Sequence, residues 1–191
     1  MNERPTSILR LLKPFDQPAP LSAPASFSAF YEQTHLSVFR YLYGLTGGPQ
    51  EDVEDLTAEA FTRAWRARRS FQGDDQAALG WLMKIARRLA IDAYRRRKAR
   101  PVTDGDIPDE LPEAGPAPEE AALAGEQQQY LLSLLLGMPD EPREILVLRY
   151  LLGWHVNQIA AYLEIPENTV SATIHRTLER LRQQWPAQEK I

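Results

Sequence analysis

Between Pro101 and Gly125 the chain cannot belong to a packed body. Pro101, Pro108, Pro112, Pro116 and Pro118 fall in this stretch with many acids, no Lys or Arg and few large apolar groups. Proline removes a backbone donor and breaks helix interiors. A segment this charged and this poor in apolar surface cannot offset the entropy of ordering itself. Helical periodicity resumes on both sides. The chain is therefore expected to be all-α, with two small helical domains joined by a flexible, acidic, Pro-rich linker. The expected divisions are a tail over 1–24, a first domain over 25–100, the linker over 101–125 and a second domain over 126–186. Extended as polyproline at about 3.1 Å per residue, the linker would span roughly 75 Å.

The tail contains Pro5, Pro14, Pro18, Pro20 and Pro24, leaving only Ser7 to Lys13 for a short amphipathic turn. From Ser26 onward Phe27, Phe30, Tyr31, Thr34, Val38, Tyr41, Leu42 and Leu45 keep a helical beat until Gly47-Gly48-Pro49 stops it. A second helix, about Glu51 to Arg69, buries Val53, Leu56, Ala60, Phe61, Ala64 and Trp65. It carries acids in its first turns and arginines at its end, as the helix dipole prefers. A third spans Leu79 to Arg100, with Trp81, Leu82, Ile85, Leu89 and Tyr94 on one stripe. In the second half, Gln129 to Leu136 is strongly apolar, and Glu141 to Leu152 places Ile145, Leu146, Leu148, Tyr150 and Leu152 on a buried side. His155 to Leu163 is a short helix, Glu164-Ile165-Pro166 a turn, and Glu167 to Trp185 a longer helix with Val170, Ile174, Leu178 and Leu181 inward.

A net charge of -4 argues against a polyanion partner only until it is divided. Residues 1–24 carry +1, 25–100 carry +4, 101–129 carry -8 and 130–191 carry -1. The acidity sits in the middle, and the first domain is cationic. The absence of cysteine excludes disulfides and thiolate metal sites, and His35, His155 and His175 form no ligand cluster in sequence. No cofactor is expected. No apolar run is long enough for a membrane span, and the N-terminus lacks a signal-peptide core, which points to a cytoplasmic protein with no membrane insertion.

Two constellations bear on function. The third helix delivers Lys84, Arg87, Arg88, Arg95, Arg96, Arg97, Lys98 and Arg100 as a cation patch suited to nucleic acid. A solvated helix end is the plainer alternative, since cations there also complement the dipole. A short helix, tight turn and longer helix form a helix-turn-helix pattern. Its second helix leaves Asn168, Ser171, Ala172, Thr173, His175, Arg176 and Arg180 outward, where small polar groups approach base edges and arginines reach phosphate or guanine. A helical hairpin packed in a core is the alternative there.

Together these residues resemble the sigma factors of the sigma-70 type, specifically the small extracytoplasmic-function (ECF, group 4) factors, over about residues 25 to 185. DVEDLTAEAFTRAW (Asp52 to Trp65) is similar to the region that grips the clamp coiled coil of the RNA polymerase largest subunit. WLMKIARRLAIDAYRRR (Trp81 to Arg97) resembles the part that melts and reads the minus-ten element. MPDEPREILVLRY (Met138 to Tyr150) resembles the next signature, and IAAYLEIPENTVSATIHRTLERLR (Ile159 to Arg182) the reader of the minus-thirty-five element.

The resemblance implies a non-enzymatic, dissociable subunit, responsive to stress or another signal, that directs promoter-specific initiation by bacterial RNA polymerase core. Its implied partners are the polymerase clamp coiled coil and second-subunit flap, promoter DNA in double-stranded and melted form, and an anti-sigma factor. Asp52, Glu54, Asp55, Glu59 and Arg63 would bind core polymerase. Lys84, Arg87, Arg88, Asp92, Arg95, Arg96 and Arg97 would bind minus-ten DNA. Asn168, Thr169, Ser171, Ala172, Thr173, His175, Arg176 and Arg180 would bind minus-thirty-five DNA.

Trp81 could stack on an unpaired base, although its stripe position favours the core. The loop Phe71 to Ala78 is the better candidate pocket for a flipped base. Three departures stand out: Arg88 where Asn is common, Glu164 where the turn commonly has Gly, and Ser171 and Thr173 where the reader helix is commonly basic. The -8 segment beside the +4 domain is also expected to lie over Arg95 to Arg100 in the free protein. A helix-turn-helix regulator that does not engage polymerase is the rival reading. A nucleic-acid enzyme lacks a metal cluster, a phosphate loop and a nucleophile-base arrangement.

Overall fold

The structure, a computed structural model, describes residues 21, 23–73, 75–99 and 129–184. The short turn at Ser7 to Lys13, the linker 101–125 and its expected cover over Arg95 to Arg100 lie outside the described residues. So do the side chains of Arg97 and Lys98, and Trp185.

All described secondary structure is helical: α1 Pro24–Thr46, α2 Gln50–Ala67 continued by a 3-10 turn Arg68–Ser70, and α3 Asp75–Ala99. After α3 come α4 over 129–136, α5 Asp140–Leu146 running into a π turn Val147–Leu151, α6 Val156–Leu163 and α7 Glu167–Gln184. α1, α2 and α3 pack around Phe30, Val38, Leu42, Val53, Ala60, Phe61, Leu82, Met83, Ala86 and Leu89, all buried. Their apolar residues recur at three and four residue steps, so each helix buries one stripe. Gly47 ends α1 in the left-handed region, φ 56, with its N–H donating to Tyr43 O at 2.8 Å. A Cβ there would also lie within 2.2 Å of Leu136 in α4, so both the turn and the close approach require glycine.

The two halves share one core, which no local pattern in the sequence encodes. Ile145, Val147 and Leu148 of the second half join the same buried cluster as Tyr41, Leu42 and Leu82 of the first. α5 and its π turn lie against α1, where Gly44 lets the side chain of Val147 approach the helix backbone. A smaller cluster of Leu135, Met138 and Leu146, with Leu181 against it, ties α4, α5 and α7 together.

Several expected burials are corrected. Tyr150 is 56% exposed and Leu152 only half-buried. The π turn adds a residue to the helical repeat and rotates everything after Val147 out of register with the 3.6-residue stripe. Trp65 and Tyr94 are more exposed than their stripes suggest, at 37% and 44%. Trp65 lies at the rim with its edge on Phe27 and the Arg68 guanidinium over its ring. Leu178 is exposed in α7.

Candidate nucleic-acid interface

α3 is anchored through Leu82, Met83, Ala86, Leu89 and Ala90. Lys84, Arg88 and Arg95, at i, i+4 and i+11, therefore share the opposite side, flanked by Arg87, Asp92 and Arg96. Arg88, Asp92, Arg95 and Arg96 are exposed and form no ion pair among the described residues. Trp81 is half-buried, with its ring tilted 32° on Phe71 at 4.9 Å, which favours the core role. Gln72 and Gly73 beside it are exposed.

Two of the cations are occupied. The Arg87 guanidinium donates to both carboxylate oxygens of Glu144, at 2.9 and 2.8 Å. Lys84 Nζ donates to Glu164 Oε1 at 2.9 Å. Glu144 is only 3% exposed and also accepts from the buried Tyr41 hydroxyl at 2.6 Å. That uses the only proton of Tyr41, so the Tyr162 hydroxyl, 3.1 Å away, donates to the Tyr41 oxygen. The buried carboxylate is thus met by a guanidinium and a hydroxyl chain, the condition for tolerating a buried charge. Burial drives both tyrosines above their ordinary range, the nearby Glu144 charge adding to this, so they stay protonated as donors. Burial acts to lower Arg87, but the Glu144 hydrogen bond and charge outweigh it and raise it on balance. Glu164, on the surface, is lowered by its hydrogen bond and charge contact with Lys84. Lys84, Arg87 and Arg88 with Tyr162, Leu163 and Glu164 line an open pocket of about 240 Å³ between α3 and α6.

On α2, Asp52, Asp55, Glu59 and Arg63 recur at three and four residue steps along one face. Glu59 and Arg63 pair at 2.7 Å, while Asp52 and Asp55 are exposed with no ion pair among the described residues. Glu54 does not share this face. Two residues from Asp52 it lies about 200° around the helix, and it accepts from Gln50 at 2.8 Å.

α6 and α7 meet through the turn at Glu164, whose φ of 60 places a non-glycine residue in the left-handed region. On α7, Asn168, Ser171, Ala172, His175, Arg176 and Arg180 are exposed, as expected, and Thr169 is half-buried. Thr173 is not outward: it is 6% exposed, and its carbonyl accepts from the buried Thr177 hydroxyl at 2.6 Å. Two successive four-residue steps from Val170 overrun the helical repeat by about 80°, so the buried stripe runs Val170, Thr173, Ile174, Thr177 and Leu181, and Leu178 swings outward.

Tyr41, Arg143, Glu144 and Tyr162 carry the contact between the halves, and none was singled out from sequence. Arg143, also buried, donates to Leu45 O at the end of α1 at 2.7 Å and to Asp140 at 2.6 Å. The available signal was an Arg-Glu pair opening an otherwise apolar run, where a charge needs a partner from elsewhere.

A basic helical bundle beside a helix-turn-helix defines a DNA-binding transcription factor. Family profiles match in the same order: Sigma-70 region 2 over residues 30–100 and Sigma-70, region 4 over 128–181. The chain is 30% identical over 155 residues to the ECF RNA polymerase sigma factor SigW of Bacillus subtilis (strain 168), spanning 77% of this chain and 82% of that protein. It is 35% identical over 141 residues to the ECF RNA polymerase sigma-E factor of Escherichia coli (strain K12), spanning 70% and 73%. In fold it is similar to the sigma factor RpoE solved with the anti-sigma factor NepR from Bartonella quintana. There the TM-score is 0.65 at 17% identity, over 85% of this chain and 98% of that one. It is also similar to CnrH solved with the cytosolic domain of CnrY, with TM-score 0.63 at 19% identity, over 87% and 92%. The chain belongs to the ECF RNA polymerase sigma factors of the sigma-70 family.

Proposed function

We propose that this chain is the promoter-selecting subunit of bacterial RNA polymerase, acting in the cytoplasm under an anti-sigma factor and performing no catalysis of its own. Supporting it is the presence in one chain, in order, of an acidic α2 face, a cationic α3 face and a helix-turn-helix reader. In this reading residues 25–100 form the region 2 domain and 126–186 the region 4 domain. Asp52, Asp55 and Glu59 meet basic residues of the polymerase clamp, a charge match that sets encounter and register. Lys84, Arg87, Arg88, Arg95 and Arg96 hold the melted minus-ten strand by its phosphates, while Asn168, Ser171, Ala172, His175, Arg176 and Arg180 face the minus-thirty-five major groove.

The test is run-off transcription with purified core polymerase. Promoter-dependent product is expected only when the chain is present, and replacing Asp52, Asp55 and Glu59 together by lysine should abolish both copurification with core and transcription. A triple variant that copurifies and initiates normally removes the α2 assignment. Footprinting on duplex DNA without polymerase, and no transcription with it, would mark a conventional regulator instead.

A further inference from the structure

We propose that the chain's own segment Ile8–Phe15 docks on the aromatic seam between α1 and α2, a surface the promoter reading leaves unused. Tyr31 meets Phe61 edge-on at 4.7 Å and stacks on His35 at 5.3 Å, and Trp65 meets Phe27 edge-on at 5.1 Å. Phe27 and Phe61 join the two groups at 6.5 Å. Tyr31 and Trp65 nevertheless stay 46% and 37% exposed, and aromatic area left to water beside a packed core marks a contact surface.

Three observations say what covers it. The first is position. Leu21 is buried in the core, and Phe27, six residues on, touches both Phe61 and Trp65, so residues 1–20 join the domain beside the seam. Eight extended residues, from Leu21 back to Lys13, reach roughly 25 Å, while the seam from Trp65 to Glu54 runs about 17 Å along α2. The second is an orphan donor. Arg68 lies 3.3 Å over Trp65 and donates to its carbonyl at 2.6 Å, yet the buried Arg68 Nε has no hydrogen-bond partner among the described residues. Such a donor calls for an acceptor from elsewhere, and Asp16 lies five residues before Leu21.

The third is pattern and charge. In a helical turn Ile8, Leu11 and Leu12 fall within about 100° of one another, with Arg10 and Lys13 opposite, and Pro14 ends the turn ahead of Phe15. The rim of the seam is acidic. Glu54 shares the side of α2 that carries Ala58, Phe61 and Trp65, being four, seven and eleven residues before them, and Glu32 adjoins Tyr31. Both carboxylates are exposed with no ion pair among the described residues. Two cations of the segment thus match two acids of the rim. Docking here leaves the face of Asp52, Asp55 and Glu59 uncovered.

The chain has no cysteine, so each introduced thiol is the only one, and its maleimide labelling rate in the full-length protein reports its exposure. Leu11→Cys and Leu12→Cys should label about fivefold more slowly than Arg10→Cys and Lys13→Cys, which corresponds to a docked fraction of about four-fifths. Ala58→Cys, at an exposed position beside the seam, should label several-fold faster once Ile8→Asp and Leu12→Asp are added. Thr6→Asp with Gln17→Asp, the same charge off the apolar side, should leave that rate unchanged.

Equal labelling across positions 10 to 13 overturns the inference, as does an Ala58→Cys rate indifferent to the segment's leucine and isoleucine. Protection lost on dilution also overturns it, because the occupant would then belong to a second copy. None of these rates depends on promoter recognition, so the inference and the sigma reading fail separately.

Discussion

Gly44 shows how a single missing methyl group decides the packing of two halves. It lies within α1, where alanine would favour the helix by about 1 kcal/mol. A Cβ would stand 2.7 Å from Val147 Cγ2 and 3.2 Å from Leu151 Cδ2. Val147 is fully buried and β-branched, so it has no free rotamer with which to retreat. Overpacking of this kind costs about 1–3 kcal/mol, which outweighs the propensity gain. Gly44→Ala should therefore destabilise the fold by a net of about 1 kcal/mol, read as a lower urea midpoint. A midpoint that rises instead would mean that α1 is not packed on the π turn in solution.

At the scale of the element, most of the fold was legible and its exceptions have definite causes. α1, α2, α3, α6 and α7 follow from apolar spacing and from Gly47, Gly48 and Pro49, because a one-sided helix writes its buried face into a period of 3.6. The π turn at Val147–Leu151 was not legible, since its apolar run satisfies a straight helix equally well; Val147 and Leu151 at its two ends are the residues that approach Gly44. The outward reading of Thr173 failed because Thr and Leu exchange places when a stripe is drawn in fours. The carboxylate network was hidden for another reason: pairing of Arg87 with Glu144 depends on how two halves dock, and no local pattern encodes that. The α7 correction can be checked with holoenzyme on minus-thirty-five duplexes. Thr173→Val should leave affinity and sequence preference unchanged. Arg180→Ala should weaken all sequences similarly and lower the slope of log affinity against log salt by about 0.9, one phosphate's share. A changed base preference in Thr173→Val would return that residue to the reading face.

At the scale of the molecule, the turn of the helix-turn-helix is tied to α3, while the outward residues Asn168, Ser171, His175, Arg176 and Arg180 of α7 stay exposed. The turn after α6 meets α3 through Glu164 and Lys84, whereas an extended linker would let the halves reach sites about two helical turns apart. The acidic α2 face is not covered: Asp52 and Asp55 remain exposed while the halves are shut. In the proposed reading, polymerase is therefore met by α2 first, with opening afterwards. Closure lowers apparent affinity in proportion to the open fraction, so a chain that is nine-tenths closed binds about tenfold more weakly than an open one. If encounter uses the α2 face, as proposed, that penalty belongs to the lifetime of the complex rather than to its formation. Glu144→Gln should accordingly bind core polymerase more tightly through slower dissociation, with an unchanged association rate, as followed by stopped-flow fluorescence of the labelled chain. Faster association with unchanged dissociation would instead require opening before encounter, and would place part of the polymerase-binding surface inside the junction between the halves.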